Sequence, residues 1–220
     1  MTVIEFNFND DWMGEIGRRL GDLNDKTPDV ISQATNSTAR KARKLIVQSL
    51  REHYAEDAKT KEYNAAMKIA RASRKKYDAT IYIRGKVQNL RRFNVSPKDP
   101  PASGSSRPPT TRAQVLLQGG LKELNKGGIK AFITTFRNGD VVVAQRNGSF
   151  YTYHRPTGGI DRHHEAIDKL WSISIPKMAE SQLDPKTVRG NMRDTIQAIL
   201  VEEIEKQIAR QLAKHGGNAG

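Results

Sequence analysis

The chain opens on Val3-Ile4-Glu5-Phe6-Asn7-Phe8, rich in strand formers and partly alternating. This predicts a short strand or an extended N-terminal arm over about residues 1–9. Asn9-Asp10-Asp11 offers N-cap chemistry for a helix to about Leu23, with Trp12, Ile16, Leu20 and Leu23 at helical spacing. Gly14, Gly17 and Gly21 weaken that helix. Thr27-Pro28-Asp29 then reads as a second start, with Thr27 as cap, Pro28 in the first turn and Asp29 at the positive end of the dipole. Val30, Ala34, Thr38, Ala42, Leu45 and Ser49 recur every three or four residues, flanked by Ile31, Ile46 and Leu50. They predict a long amphipathic helix to about His53.

Residues 57–76 read as a weaker helix around Ala65-Ala66-Met67-Lys68-Ile69-Ala70. Ala79-Thr80-Ile81-Tyr82-Ile83-Arg84 alternates like a strand, which Gly85 breaks. Residues 94–112 hold Pro97, Pro100, Pro101, Gly104, Pro108 and Pro109 among serines and threonines, so a long Pro/Ser-rich loop is expected there. Two strand-like runs, residues 131–136 and 140–145, flank Asn138-Gly139. Asn-Gly in that setting predicts a hairpin with a type I′ turn, positive φ at both positions. A further strand can follow Asn147-Gly148 over residues 149–153, and residues 155–159 form another loop. Last, Asp184-Pro185 opens a long helix with Met192, Ile196, Leu200, Ile204, Ile208 and Leu212 on one face. Glu202, Glu203, Glu205, Lys206 and Arg210 are assigned to water, and Gly216-Gly217 ends the helix. The pattern is that of one α+β domain over 1–220: a small, mostly antiparallel sheet with an Asn-Gly hairpin, two long flanking helices and extended loops.

Composition narrows what such a domain does. No apolar run reaches the length of about 20 residues that a membrane span needs, and the first residues lack the basic and apolar regions of a secretory signal. Without cysteine there is no disulfide, thiolate metal site or cysteine nucleophile. The net charge is +13, from 37 Lys+Arg against 24 Asp+Glu. It is concentrated: residues 1–30 carry net −4, residues 35–98 carry 17 basic and five acidic side chains, net +12, and residues 191–220 balance. Such a block is either a solvated face or a docking surface for nucleic acid or acidic protein. Its candidate contact residues are Arg40, Lys41, Arg43, Lys44, Arg71, Arg74, Lys75, Lys76, Arg91 and Arg92. Tyr77, Tyr82 and Phe93 lie among them and suit either base stacking or a core, the core being favoured.

The chain lacks a nucleophile elbow, a Walker-type phosphate loop and a nucleic-acid-reading motif. His163-His164-Glu165, if helical, would diverge by about 100° per residue. It reads as polar surface, and His154 as structural. The expectation is therefore no catalytic residue, metal or cofactor, hence no enzyme.

The order of elements carries more. The basic helix with Thr35-Asn36-Ser37-Thr38-Ala39-Arg40-Lys41-Ala42-Arg43 is followed by the strand at 79–83 and by Leu90-Arg91-Arg92-Phe93. Then come Gly127-Gly128-Ile129-Lys130-Ala131-Phe132-Ile133, a hairpin ending Val143-Ala144-Gln145-Arg146, the stretch Ile167-Asp168-Lys169-Leu170-Trp171-Ser172, and a long final helix. Over roughly 28–214 this resembles the minor tail protein Z family of tailed bacteriophages, the tail completion or head–tail joining proteins. The loop at 94–112 is long for the family, residues 148–166 look inserted, and Trp171-Ser172 stands where something like Tyr-Gly is expected. The resemblance implies a structural virion protein at the neck, assembled in the host cytoplasm, which completes the head-proximal end of the tail. It further implies a homo-oligomeric ring of about six copies. Tail terminator, tail tube and head-connector proteins are the implied neighbours. The basic block would face DNA in the channel or acidic surfaces of adjoining rings. The alternative is a non-specific nucleic-acid-binding protein.

Overall fold

The computed structural model describes residues 1–6, 10–102, 109–153, 162–184 and 191–216. The sequence reads as one domain; its contacts divide the chain into two compact units, one of residues 1–50, 59–86 and 174–220, the other of 51–58 and 87–173.

The first unit holds β1 (Thr2–Phe6), α1 (Asp10–Leu20), α2 (Thr27–His53, whose last turn belongs to the other unit), α3 (Thr60–Ala66), β2 (Met67–Ala70), β3 (Ala79–Ile83), α4 (Ile175–Leu183) and α5 (Asn191–Gly216). Its sheet runs β1-β3-β2, antiparallel throughout. Ile4 and Ile69 both stand opposite Ile81, which explains why the central strand is buried on nearly every residue. Residues 2–6 are thus a paired edge strand. The helical core joins Ile16 and Leu20 of α1, Val30, Ile31 and Ala34 of α2, and Leu200, Ile204 and Ile208 of α5, with Trp12, Leu23 and Tyr77 against it. Small buried residues of α2, Ala34, Thr35, Thr38, Ala39 and Ala42, present little bulk to whatever packs on that side.

Four local expectations change. Thr27 is itself helical (φ −50°, ψ −46°), because a 3₁₀ turn over Gly21–Lys26 runs straight into α2. A cap residue needs extended backbone, and the Thr27 hydroxyl accordingly bonds no protein atom. The helix expected over 57–76 stops at Ala66, since Met67-Lys68-Ile69-Ala70 pairs with β3 and buries its alternate residues Met67 and, in part, Ile69; sheet pairing overrides helix propensity here. Ile175–Leu183 is a helix absent from the sequence reading, capped by Ser174, whose hydroxyl accepts from the Lys177 amide at 3.4 Å. Asp184 therefore ends α4, while Pro185 lies outside the described residues, as do His154, the 155–159 loop and the middle of the 94–112 loop.

The second unit holds short antiparallel sheets built from β4 (Val87–Asn89), β5 (Asn94–Ser96), β6 (Arg112–Gln114), β7 (Lys122–Glu123), β8 (Asn125–Lys126), β9 (Ile129–Lys130), β10 (Phe132–Thr135), β11 (Val141–Tyr153), β12 (Arg162–Lys169) and β13 (Trp171–Ser174). The ends of the 94–112 segment are drawn together as the β5–β6 pair. The predicted hairpin forms, with Thr135 opposite Val141. Its turn differs from type I′: the Gly139 amide bonds the Phe136 carbonyl and the Phe136 amide bonds the Asp140 carbonyl, both at 2.8 Å. Only Gly139 has positive φ, +85°. This is a three-residue loop closed by a glycine bulge. Asn138 contributes through its side chain, whose oxygen accepts from the Asp140 amide at 3.1 Å.

Asn147-Gly148 does not separate two strands. It is a bulge inside the 13-residue β11, where the register against β12 slips between Arg146 and Phe150. His163 and His164 fall on β12, a strand and not a helix. His164 stacks on Tyr151 with ring centres 5.7 Å apart.

The α+β class, antiparallel pairing, Asn-Gly hairpin and two long helices agree with the pattern of the sequence. No described helix is long and apolar enough to cross a membrane.

Candidate functional site

The ten predicted basic residues are divided between the two units. Arg91 and Arg92 belong to the second unit. There Arg91 donates to the Lys98 carbonyl at 3.3 Å and lies 3.6 Å from Asp99, while Arg92 lies 3.3 Å from the buried Glu56 carboxylate. Phe93 beside them is core. The other eight belong to the first unit, and several are answered by acids. Arg74 meets Asp29 at 2.9 Å. Lys41 meets Glu203 at 2.7 Å and Glu202 at 3.5 Å. Lys76 closes a tight turn with Ser73, its amide donating to the Ser73 hydroxyl at 3.2 Å. Lys44 and Lys75 stand exposed.

Glu203 departs from its expected place in water: it is buried on α5. Burial pushes its carboxyl up, but hydrogen bonds from Lys41 and Ser37 outweigh this and hold it below the ordinary carboxylate range. The same bond with Glu203 raises the Lys41 ammonium. A charge buried on one helix is tolerable because the next helix supplies the counter-charge.

Three of the predicted residues do converge. Arg40, Arg43 and Arg71 line a pocket of about 390 Å³ together with Arg210, Gln207, Gln33, Asn36 and Ile69. The geometry is built from helix periodicity. Gln33, Asn36, Arg40 and Arg43 lie three, four and three residues apart, which places them along one stripe of α2. Gln207 and Arg210, three apart, do the same on α5. Arg71 comes from the segment just after β2, and its position is fixed by an amide clamp. The Asn36 side chain donates to the Ala72 carbonyl and accepts from the Ala72 amide, both at 3.0 Å. Tyr82, with Arg84 at 5.9 Å from its ring centre, is elsewhere in this unit and does not line the pocket.

The pocket has no acidic lining residue. It contains two buried polar atoms that bond nothing in the protein, Arg43 Nε and Gln207 Oε1. Sequence reasoning found three of its four arginines and missed Arg210, Gln207, Gln33 and Asn36. The signal for the α2 residues was available in the spacing of 33, 36, 40 and 43; nothing local marks 207 and 210. Among the described residues, no group of three or more acidic or histidine side chains is placed to hold a metal ion. No protein-family model, curated protein or solved structure matches the chain.

Proposed function

We propose that this chain is a structural virion protein of a tailed bacteriophage. It completes the head-proximal end of the tail and enables head–tail joining, as a ring of about six copies around the DNA channel. What carries this reading is the resemblance in the order of elements. The helix α2, the strand β3, the hairpin β10–β11 and the final helix α5 follow one another in the order in which the sequence motifs stand. A second feature suits assembly. Phe150, Tyr151 and Trp171 are more than half exposed on the strands of the second unit, and exposed large apolar side chains are ones an assembly can cover.

The test is genetic. Deleting the gene from the phage or prophage that encodes it should leave filled heads and unjoined tails in electron micrographs of lysates. Normal, joined virions would refute the joining role.

The arginine pocket favours one other reading, a non-specific nucleic-acid-binding protein. Duplex affinity that falls steeply with salt, by about 0.9 in log K per log unit of salt for each phosphate contacted, would support it. Absence of binding at low salt would sink it.

A further inference from the structure

We infer that the pocket between the Arg40–Arg43 stripe, Arg71 and Arg210 is a binding site for linked phosphate groups. This goes beyond the tail-completion reading and does not depend on it. Four guanidiniums share one concavity without an acidic neighbour in its lining. Elsewhere in the same unit Arg19, Lys26, Lys41 and Arg74 each meet a carboxylate. The lining supplies no counter-charge of its own.

The orphan atoms point the same way. Buried polar groups almost always find a partner. Gln207 is only 7% exposed, yet its Oε1 bonds nothing in the protein, and neither does Arg43 Nε. A phosphate oxygen satisfies the guanidinium N–H directly. Gln207 Oε1 is an acceptor, and the amide meets the same group by turning its Nε2–H to a phosphate oxygen.

Phosphate fits better than carboxylate on three counts. A guanidinium is a planar fork that pairs with two oxygens at once, and a chain of phosphates offers enough oxygens for four forks; a lone carboxylate does not. The volume of about 390 Å³ exceeds what one small oxyanion fills and falls within the range of small-ligand sites, about 300–1,000 Å³. The backbone that carries the donors is also fixed: Arg40, Arg43 and Arg210 stand on long helices, and the Asn36 clamp on Ala72 holds the backbone beside Arg71. The ligand can be a free polyphosphate or the backbone of a nucleic acid, since both present the same chemistry.

The experiment uses the full chain at low salt, titrated with inorganic tripolyphosphate by calorimetry, then with a 20-base-pair duplex with and without tripolyphosphate. R43Q/R71Q removes two forks from the pocket. K44Q/K75Q removes the same charge from exposed positions outside it. The expected result is saturable tripolyphosphate binding that weakens about tenfold or more in R43Q/R71Q and less than about twofold in K44Q/K75Q. R210Q, at an exposed position, repeats the test if the first variant fails to fold by circular dichroism. Competition between duplex and tripolyphosphate identifies nucleic-acid backbone as a source of the phosphate. Independent binding assigns the pocket to free polyphosphate. Four results overturn the inference: no saturable binding of either probe, equal losses in the two double variants, full binding by R43Q/R71Q and R210Q, or tighter binding of an acidic peptide than of tripolyphosphate.

Discussion

Asn36 sits on α2 yet its energetic partner is 36 residues away. Replacing it with alanine removes both hydrogen bonds to Ala72, each 3.0 Å. Ala72 is 8% exposed, so its amide and carbonyl are left with little access to water. A hydrogen bond contributes about 0.5–1.5 kcal/mol net, and an orphaned buried group costs about 1–3 kcal/mol. Both Asn36 bonds are partly buried, which lets some water compensate. The expected loss is then about 2–3 kcal/mol. At about 2–4 °C per kcal/mol for a chain of this size, the melting temperature should drop by about 4–12 °C.

Asn36→Asp separates clamp from bulk. An aspartate can still accept from the Ala72 amide but faces the Ala72 carbonyl with a second acceptor. It keeps one of the two clamp bonds and gains attraction from the arginines of the pocket it lines, so at neutral pH it should lose less stability than alanine loses, with the difference shrinking in added salt. Urea unfolding supplies the free energies, and hydrogen exchange at the Ala72 amide reports the local opening. A cost below about 0.5 kcal/mol for Asn36→Ala, within the ordinary range for surface changes, would refute the reasoning. So would an Asn36→Asp variant less stable than Asn36→Ala at low salt.

Three further outcomes follow from other parts of the fold. The Glu203 carboxyl is held below its ordinary range in the folded chain; its contribution is present above the unfolded pKa of about 4.3 and is lost as pH falls through the lower folded value. Glu203→Gln should flatten the acid limb of stability against pH, read by thermal melts from pH 7 downward. Gly139→Ala meets no atom within 4 Å, but its φ is +85°, so it should cost about 1 kcal/mol by urea unfolding from backbone conformation alone. Met178 is fully buried on α4, and Met178→Ala should cost about 2–5 kcal/mol in the same assay, depending on how far the cavity collapses.

Legibility in the sequence followed how local the determining physics was. The stripe from Val30 to Leu50 was readable because burial on one side of a helix repeats every three or four residues, and all of its members but Leu45 are buried. The Asn138-Gly139 hairpin was readable from two residues, though its turn type was not. Whether Asn138 adopts positive φ depends on where the flanking ladder closes, and the ladder closes at Phe136 and Asp140. Met67-Lys68-Ile69-Ala70 was misread because its helix propensity is a property of the segment, whereas its strand is a property of β3 lying beside it. Glu203 was misread for the same reason: its position on the polar side of an apolar stripe said water, and Lys41 and Ser37 from another helix make its burial tolerable.

The charge block shows how tertiary pairing edits a sequence signal. Net +12 over residues 35–98 suggests a continuous basic face. In the fold, Asp29 from the acidic start of the chain answers Arg74, and Glu202 and Glu203 from the charge-balanced final helix answer Lys41. Part of the block is thus spent inside the molecule on structure, which explains why an acidic segment at one end and a balanced helix at the other accompany it. The arginines at the pocket are among the members of the block that this internal pairing bypasses, and the final helix adds a fourth, Arg210, to their number. A helix that neutralises one side of α2 with Glu203 and adds Arg210, seven residues later, to its arginine stripe divides the basic charge: one part pairs with carboxylates between helices, and the other lines a pocket without an acidic neighbour.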